Sequence, residues 1–383
     1  MSASSLRILL IVEPGIDGVF RHVEGLVHYF LSHEHEVHLA YSDRRGSEAL
    51  TRLVLLIRER GGQCLNLRTG NAPEIGDLCS FWRLWKFVKR LKPEIIHAHS
   101  SKAGALARGL ALTGMAGAFF YTPHAYYGLA PRSAIVTHFY NFVERVLGRI
   151  GTTINVSEDE AAFARLRLHI PSERLKIVPN AVDFDQFQPA EESARKSARA
   201  QLELPPNAIV LGSMGRLTFQ KDPLTLYRAV APIVRARTNF FLLHVGSGEL
   251  EVECKALARE LGIEHAVKRV SYLNPPQPFF DASDAVILTS RYEGLPLVAL
   301  EALANRLPLI LTEAPGMSDI RKLPLSHRWS GSSEDASSIT AAISAWLDDL
   351  PKARLCNHRE IAVRHYSPAR CLGELLDIYR DRQ

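Results

Sequence analysis

Two glutamates, Glu293 and Glu301, are separated by seven residues where a predicted apolar strand, residues 285–288, leads through a turn into a predicted helix. The start of a helix has unpaired N–H groups and the positive end of the helix dipole, so Gly294 and Leu295 are placed to donate backbone hydrogen bonds to a phosphate. Because carboxylates repel phosphates, we expect the two glutamates to accept hydrogen bonds from hydroxyl groups of the same ligand. A nucleotide sugar carries both kinds of group; two unrelated glutamates on a surface helix are the simpler alternative.

Two cations, Arg216 and Lys221, lie in the segment GRLTFQKDP, between a predicted strand at residues 209–213 and a predicted helix that begins at Asp222. Arginine can bind two phosphate oxygens at once, whereas lysine acts as a point charge. Two such cations at the start of a helix predict a site for a diphosphate. Surface salt bridges are the alternative interpretation of the same residues.

Two glycines follow predicted strands and are expected to let the backbone approach a ligand closely: Gly18, in the turn after the first strand, and Gly246, in the loop GSGEL. Neither turn contains G-x-G-x-x-G, the pattern that dinucleotide-binding sheets place between strand and helix. The glycines therefore predict a phosphate-containing ligand without predicting a dinucleotide cofactor.

Together these segments resemble a known family. Residues 290–296 have the pattern S-x-x-E-G-x-P, and a second glutamate follows eight positions after the first. This arrangement is similar to the signature of retaining glycosyltransferases of family 4, which have the two-domain GT-B fold. The strings IIHAHSSKAGALAR and YTPHAYYG resemble members that build bacterial polysaccharides, and G-R-L-x-x-Q-K-D-P resembles the family's diphosphate-binding segment. One departure is Asp17, which stands where the family usually has the first glycine of a Gly-Gly pair.

The resemblance implies a role for each site residue. Arg216 and Lys221 would bind the diphosphate, and His124 would contact the donor sugar near the reaction centre. Glu301 would hold the ribose hydroxyls and Glu293 those of the donor sugar. The implied enzyme is a retaining hexosyltransferase that uses a nucleotide sugar, with UDP the expected carrier, and a saccharide or lipid-linked saccharide acceptor; neither a cofactor nor a metal is expected.

Three other functions fit parts of the pattern. A nucleotide-sugar epimerase can share the fold and would turn over without an acceptor. A non-catalytic protein that binds sugar nucleotides would need the same binding residues. A nucleic-acid binder is suggested only by a basic region, which contains no recognised module, so nucleic acid is not an expected partner.

The elements that must position these residues alternate between strand and helix along the whole chain, with strands at 36–41 and 94–98 among them. Such alternation predicts α/β domains with parallel sheets, whose ligands bind beyond the carboxyl ends of the strands. We expect two Rossmann-like, doubly wound domains that face a cleft. Residues 1–188 would form the acceptor-side domain, 189–206 a hinge, 207–366 the nucleotide-sugar domain, and 367–383 a helix crossing back to the first.

The cysteine content and the apolar runs of the sequence indicate where in the cell the protein is expected. The five cysteines among 383 residues are scattered, which argues against a disulfide framework and for a reducing cytoplasm. No apolar run predicts a signal peptide or a membrane span. The segment FWRLWKFVKRLK predicts a helix with aromatic and basic residues, and two interpretations carry equal weight: a peripheral contact with an anionic membrane surface, or an ordinary packed helix with a solvated basic face.

Overall fold

The chain forms two compact α/β units. The computed structural model describes residues 5–44, 46–70, 74–130, 133–325, 329–350 and 358–382. Unit 1 comprises residues 1–181 and 368–383, and unit 2 comprises residues 182–367. The border therefore lies earlier than the predicted hinge at 189–206. Most of that stretch is a helix of unit 2, in which Arg195 and Arg199 donate hydrogen bonds of 2.5 and 2.9 Å to the buried carboxylate of Asp284.

The sheet of unit 1 is parallel throughout, and within the described residues it has seven strands in the order β3-β2-β1-β4-β5-β6-β7. The strands are β1 Arg7–Val12, β2 Glu36–Tyr41, β3 Cys64–Asn66, β4 Ile95–His99, β5 Ala118–Thr122, β6 Thr152–Asn155 and β7 Leu175–Ile177. Strand β1 lies inside the sheet and is almost wholly apolar, as expected of a strand covered on both faces.

Seven helices cover this sheet in the described part of unit 1. They are α1 Asp17–Ser32, α2 Glu48–Glu59, α3 Gly76–Leu91, α4 Ser101–Ala111, α5 Ala134–Leu147, α6 Glu158–Leu166 and the C-terminal helix Pro368–Arg380. Helices α1 and α2 pack with the C-terminal helix in one apolar cluster, while α3 and α4 pack in another. The C-terminal helix contributes Leu372, Leu375, Leu376 and Tyr379 to the core of unit 1, although its sequence follows all of unit 2.

Unit 2 has a parallel sheet whose strands, as far as the chain is described, run in the order β10-β9-β8-β11-β12-β13. They are β8 Ile209–Met214, β9 Phe240–Val245, β10 Val267–Val270, β11 Ala285–Leu288, β12 Leu309–Thr312 and β13 Trp329–Gly331. The helices are α7 Glu192–Gln201, α8 Pro223–Ala236, α9 Glu251–Glu260, α10 Gln277–Ala282, α11 Leu297–Ala304, α12 Ser318–Arg321, α13 Ala336–Asp348 and α14 Arg359–Tyr366, so that the C-terminal helix of unit 1 is α15.

In both units the chain order reverses beside the first strand of the sheet, β1 or β8. Strand β1 lies between β2 and β4, and β8 lies between β9 and β11. At such a reversal the loops at the carboxyl ends of adjacent strands diverge and leave a crevice, where open α/β sheets bind their ligands. The predicted functional segments follow these strands and their neighbours.

Candidate functional site

The site of unit 2 is organised around an ion pair between Lys221 and Glu293. The ammonium of Lys221 donates to Oε1 of Glu293, and the Ser290 hydroxyl donates to the same oxygen at 2.6 Å. The hydroxyl of Thr289 donates to the backbone carbonyl of Lys221 at 3.0 Å, which ties the lysine loop to the end of β11. The structure thus brings together two residues that the sequence placed in separate motifs.

A small pocket lies at the carboxyl ends of β8, β9 and β11, next to this ion pair. Lys221 and Ser290 line it from one side, and Ser213, Gly215 and His244 line it from the strand ends. Burial, and less strongly the charge of Arg269, lowers the pKa of His244 to about 4, so its imidazole is neutral near pH 7. The pocket therefore combines one cation with neutral hydrogen-bonding groups at the edge of the sheet where a ligand is expected.

Arg216 lies on the loop between β8 and Lys221, with its side chain exposed. This loop rests on the segment that begins at Gly246, because Leu217 N–H donates to Ser247 O at 3.0 Å. Gly246 has a φ of +146°, and a Cβ there would come 1.9 Å from the carbonyl oxygen of Gly215. The close backbone approach predicted at Gly246 is thus made with the Arg216 loop, and its own N–H donates to Val270 O.

Helix α11 begins one residue later than the sequence suggests. Pro296 has extended backbone angles and is the N-cap, so the first helical residue is Leu297. Gly294 and Leu295 form the buried turn just before this helix, as predicted. Glu301 lies inside the helix and is 1% exposed.

The site of unit 1 is a cluster of histidines from three separate segments. Nδ1 of His99, at the end of β4, lies 3.1 Å from Nε2 of His124, which follows β5. The ring of His22, in helix α1, lies 4.7 Å from the ring of His124 and 5.4 Å from that of His99. Behind them, His97 is hydrogen-bonded to Tyr379 of α15 at 2.6 Å and to Thr122 at 2.9 Å.

These imidazoles are neutral. Burial lowers the pKa of His22 to about 4, against a smaller rise from its hydrogen bond with Asn180. Burial, reinforced by the neighbouring histidines, also holds the pKa of His99 and of His124 well below the usual range. The ring nitrogens of His22, His99 and His124 lie within 4.8 Å of one another, and neutral imidazole is a common metal ligand, so these three residues could hold a metal ion.

His124 is held in an uncommon backbone conformation. Its φ is +53° and that of Ala125 is +80°, both in the left-handed region that residues with a Cβ seldom occupy. The carboxylate of Glu160, buried in α6, accepts hydrogen bonds from the backbone N–H of Ala125 and, at 2.9 Å, from that of Val156. Burial raises the pKa of Glu160 to about 7, although the two N–H donors lower it.

Gly18 lies in the first turn of α1 and not in the turn before it, because this helix begins at Asp17. Asp17 itself has a φ of +68°, which a glycine would adopt more easily. A Cβ built at Gly18 would have no other heavy atom of the described chain within 4 Å. The space beside Gly18 is therefore open.

Several residues of these two sites were missed by sequence reasoning. One is Ser290, whose hydroxyl donates to Glu293 three residues later. The S-x-x-E spacing of the sequence could have predicted this contact. Glu160 begins as part of a local helix cap, because its N–H donates to the Ser157 hydroxyl at 3.2 Å. Its side chain accepts from Ala125, 35 residues earlier, and no local pattern indicates that contact. His22 and His99 carry no signal of their convergence.

The predicted basic helix is α3. It buries Leu84, Phe87 and Val88, and Trp85 is partly buried with Lys89 stacked 4.8 Å from its ring centroid. Trp82 is exposed. Most of its aromatic residues therefore pack against the sheet, which favours the ordinary packed-helix interpretation for this element. Among the described residues, no helix combines the length and the apolar character that crossing a membrane requires.

Comparison with known proteins finds family matches in both units. A family model described as glycosyltransferase family 4 matches residues 16–186, and one described as glycosyl transferases group 1 matches residues 194–360. The UDP-Gal:alpha-D-GlcNAc-diphosphoundecaprenol alpha-1,3-galactosyltransferase of Escherichia coli is 26% identical over 316 residues, 81% of each chain. A D-inositol 3-phosphate glycosyltransferase of Corynebacterium urealyticum is 30% identical over 207 residues, which cover 51% of this chain and 46% of that protein.

Solved structures show the same fold over nearly the whole chain. Sucrose-phosphate synthase from Thermosynechococcus elongatus superposes with a TM-score of 0.80 at 18% identity and covers 98% of both chains. Anabaena HepE in complex with UDP-glucose also has a TM-score of 0.80 at 18% identity, covering 98% of this chain and all of that one. With its two parallel-sheet units and the matches to both family models, the chain belongs to glycosyltransferase family 4 and is a hexosyltransferase-type enzyme with the GT-B fold.

Proposed function

We propose that the enzyme transfers a hexose from a UDP-sugar, with retention of anomeric configuration, to a saccharide or lipid-linked saccharide in cell-surface polysaccharide synthesis. The observation that carries the proposal is the Lys221–Glu293 pair beside a pocket at the carboxyl edge of the sheet of unit 2. The lipid-linked acceptor named for the Escherichia coli relative and the UDP-glucose bound to Anabaena HepE support the choice of substrates.

In the proposed reaction the bond between the sugar C1 and the phosphate oxygen breaks, and its electron pair leaves with UDP. A bond forms between C1 and the acceptor oxygen, and the proton of the acceptor hydroxyl passes to the departing phosphate. Lys221 and Arg216 would stabilise the negative charge that grows on the diphosphate, together with backbone N–H groups at Gly294 and Leu295. These donors would make a metal ion unnecessary.

The remaining residues would position the donor. Glu301 would accept hydrogen bonds from the ribose hydroxyls, and Glu293 from the hydroxyls of the transferred sugar. Phosphate binding by Lys221 would release part of the Glu293 carboxylate for this purpose. His124 would contact the transferred sugar as a neutral hydrogen-bonding group, since burial keeps its pKa low. Gly18 would leave room for a ligand at the start of α1, and Gly246 would let the Arg216 loop pack closely at the diphosphate site.

The donor is tested first by thermal denaturation in the presence of UDP, GDP, ADP and their sugar conjugates. A ligand that binds only the folded protein raises the unfolding temperature by mass action, so a selective rise with UDP and one UDP-sugar is expected. Absence of a rise with every nucleotide contradicts the proposed donor site. Turnover of the donor sugar without any acceptor would instead identify an epimerase.

The site is then tested by substitution. Lys221→Ala and Glu301→Ala should each lower transfer to a saccharide acceptor by about a hundredfold, in line with the loss of a charged group at a developing charge or of a buried acceptor. Lys255→Ala is the matched control, because Lys255 also forms an ion pair with a glutamate, Glu251, but on the surface. If both site variants and the control transferred sugar at nearly the wild-type rate, the assignment of this site would be contradicted.

A further inference from the structure

Helix α5, Ala134–Leu147, has the reverse of the usual burial pattern. The structure describes all fourteen of its residues, and the one that is fully buried is a glutamate, Glu144. The carboxylate of Glu144 accepts two hydrogen bonds of 3.0 Å from Arg108 in α4 and one of 3.0 Å from the hydroxyl of Tyr121. The helix is thus anchored to unit 1 by a buried ion pair, while several of its large apolar side chains are exposed.

The exposed apolar side chains form a stripe. Ile135, Phe139, Phe142 and Val146 are 83%, 60%, 64% and 44% exposed, and their spacing of three or four residues places them on one face of the helix. By contrast, α1 buries the apolar residues that recur with the same period. A continuous apolar face of this kind on the surface of a folded domain indicates a site of interaction.

The charges around the stripe are cationic. Along residues 134–149, all of which the structure describes, Arg145 and Arg149 are exposed, while the only acid, Glu144, is buried and neutralised by Arg108. An apolar face bordered by exposed arginines is complementary to an anionic bilayer, in which apolar side chains enter the interface and cations meet the headgroups. A two-fold contact between copies of this chain would bring the same arginines together, which their repulsion opposes.

We infer that α5 docks the enzyme on the surface of an anionic membrane, with Ile135, Phe139, Phe142 and Val146 inserted at the interface. This role differs from the one considered for α3, whose aromatic residues are mostly used in packing. The inference rests on the proposed function in one respect: a lipid-linked acceptor would be held at the surface on which α5 docks. The helix lies on the bilayer, since fourteen residues are too few to cross it.

The inference is tested by sedimentation of the purified full-length enzyme with vesicles of phosphatidylcholine and phosphatidylglycerol in equal parts, and with vesicles of phosphatidylcholine alone. Neither donor nor acceptor is present, so the result does not depend on the proposed reaction. The wild type is expected to bind the anionic vesicles more strongly than the neutral ones. Phe139→Ser with Phe142→Ser should weaken binding by about tenfold or more, and Arg145→Glu with Arg149→Glu should abolish the preference for anionic lipid.

Matched controls change equally exposed residues on other elements. Leu55→Ser with Val252→Ser removes exposed apolar side chains from α2 and α9, and Arg60→Glu with Arg237→Glu reverses two exposed charges; both double variants should bind like the wild type. Transfer to a water-soluble saccharide acceptor should be unchanged in the α5 variants, which shows that they fold. The inference would be overturned if the fraction of wild-type enzyme in the supernatant were the same with either kind of vesicle as without vesicles. A dimer in solution that the Phe139→Ser, Phe142→Ser variant converts to monomer without any vesicle binding would overturn it as well.

Discussion

At the scale of single residues, Lys221 has one ammonium group and two candidate partners. In the structure it is paired with Glu293, and the same carboxylate oxygen also accepts from Ser290. A diphosphate carries more negative charge than a carboxylate, so we expect it to draw Lys221 away and leave Glu293 with free acceptor capacity. An ion pair of this type keeps both side chains ordered before the ligand arrives, which reduces the entropy lost on binding.

Glu160 provides a prediction at the same scale. Burial raises the pKa of Glu160 to about 7 from its ordinary value of 4.5, so in the folded protein it keeps its proton to a higher pH than in the unfolded chain. Between about pH 4.5 and 7 the unfolded state therefore binds fewer protons, and the contribution of this group to the free energy of unfolding falls as pH rises. Glu160→Gln does not titrate and should remove that fall, of about 3 kcal/mol.

The measurement is the urea dependence of unfolding for the wild type and for Glu160→Gln at a series of pH values across this window. Glu158→Gln is the control, since this glutamate lies in the same helical turn with an exposed side chain. The difference in stability between wild type and Glu160→Gln should change with pH, and the difference for the control should not. A constant difference for both variants would show that the carboxylate of Glu160 is ionised throughout and is stabilised by its N–H donors.

How far single residues could be predicted depends on how local their contacts are. Glu293, Glu301, Arg216 and Lys221 belong to contiguous motifs at the junctions of strands and helices, so their positions follow from the sequence. Glu160 and His99 do not, because their contacts with Ala125 and His124 join segments 35 and 25 residues apart in the chain. Their proximity is created by the pairing of β4, β5 and β6, whose register no local pattern specifies.

At the scale of elements, the C-terminal helix α15 depends on one buried polar contact as well as on its apolar face. The hydroxyl of Tyr379 is hydrogen-bonded to Nδ1 of His97, and both residues are fully buried. Tyr379→Phe keeps the ring packing but leaves the imidazole nitrogen without this partner, which typically costs about 1–3 kcal/mol. We therefore expect a lower free energy of unfolding for the variant, measured by chemical denaturation.

Tyr140→Phe, on the partly exposed side of α5, removes a tyrosine hydroxyl that water can replace and should be close to neutral. Equal stability of the Tyr379→Phe variant and the wild type would show that His97 finds another partner. Tyr379→Phe should lower the free energy of unfolding without a comparable loss of catalytic activity. The substitution weakens the attachment of α15 and does not change Lys221 or Glu293.

Element boundaries were predictable where the apolar pattern was strong. The strand predicted at 36–41 has these bounds in the structure, and the one predicted at 285–288 does too. The edge strands Val267–Val270 and Trp329–Gly331 are short and only partly buried, so they carry no pattern that would predict them. The stretch predicted as a hinge was polar for a local reason: α7 exposes most of its surface and is attached through arginines to Asp284.

At the scale of the whole molecule, the two units have different electrostatic character at their candidate sites. Unit 2 presents Lys221 and Arg216, which suit the diphosphate end of a donor. Unit 1 presents neutral imidazoles, which suit hydroxyl groups of a sugar because each can donate or accept a hydrogen bond. The charged and the neutral candidate residues therefore belong to different units.

The same division leads to a prediction about metals. Cations in unit 2 would already stabilise the charge that develops on the departing diphosphate, so transfer should not require Mg²⁺ or Mn²⁺. The trio of His22, His99 and His124 could nevertheless hold a metal ion, since its ring nitrogens lie within 4.8 Å of one another. We expect dialysis against EDTA to leave kcat/KM for donor and acceptor unchanged, and added Mg²⁺ or Mn²⁺ to have no effect. Elemental analysis of the enzyme before and after dialysis is the companion measurement. If activity is lost together with a bound metal and recovers when that metal is restored, the histidine trio has a metal-dependent role. That outcome would contradict catalysis by Lys221 and Arg216 alone.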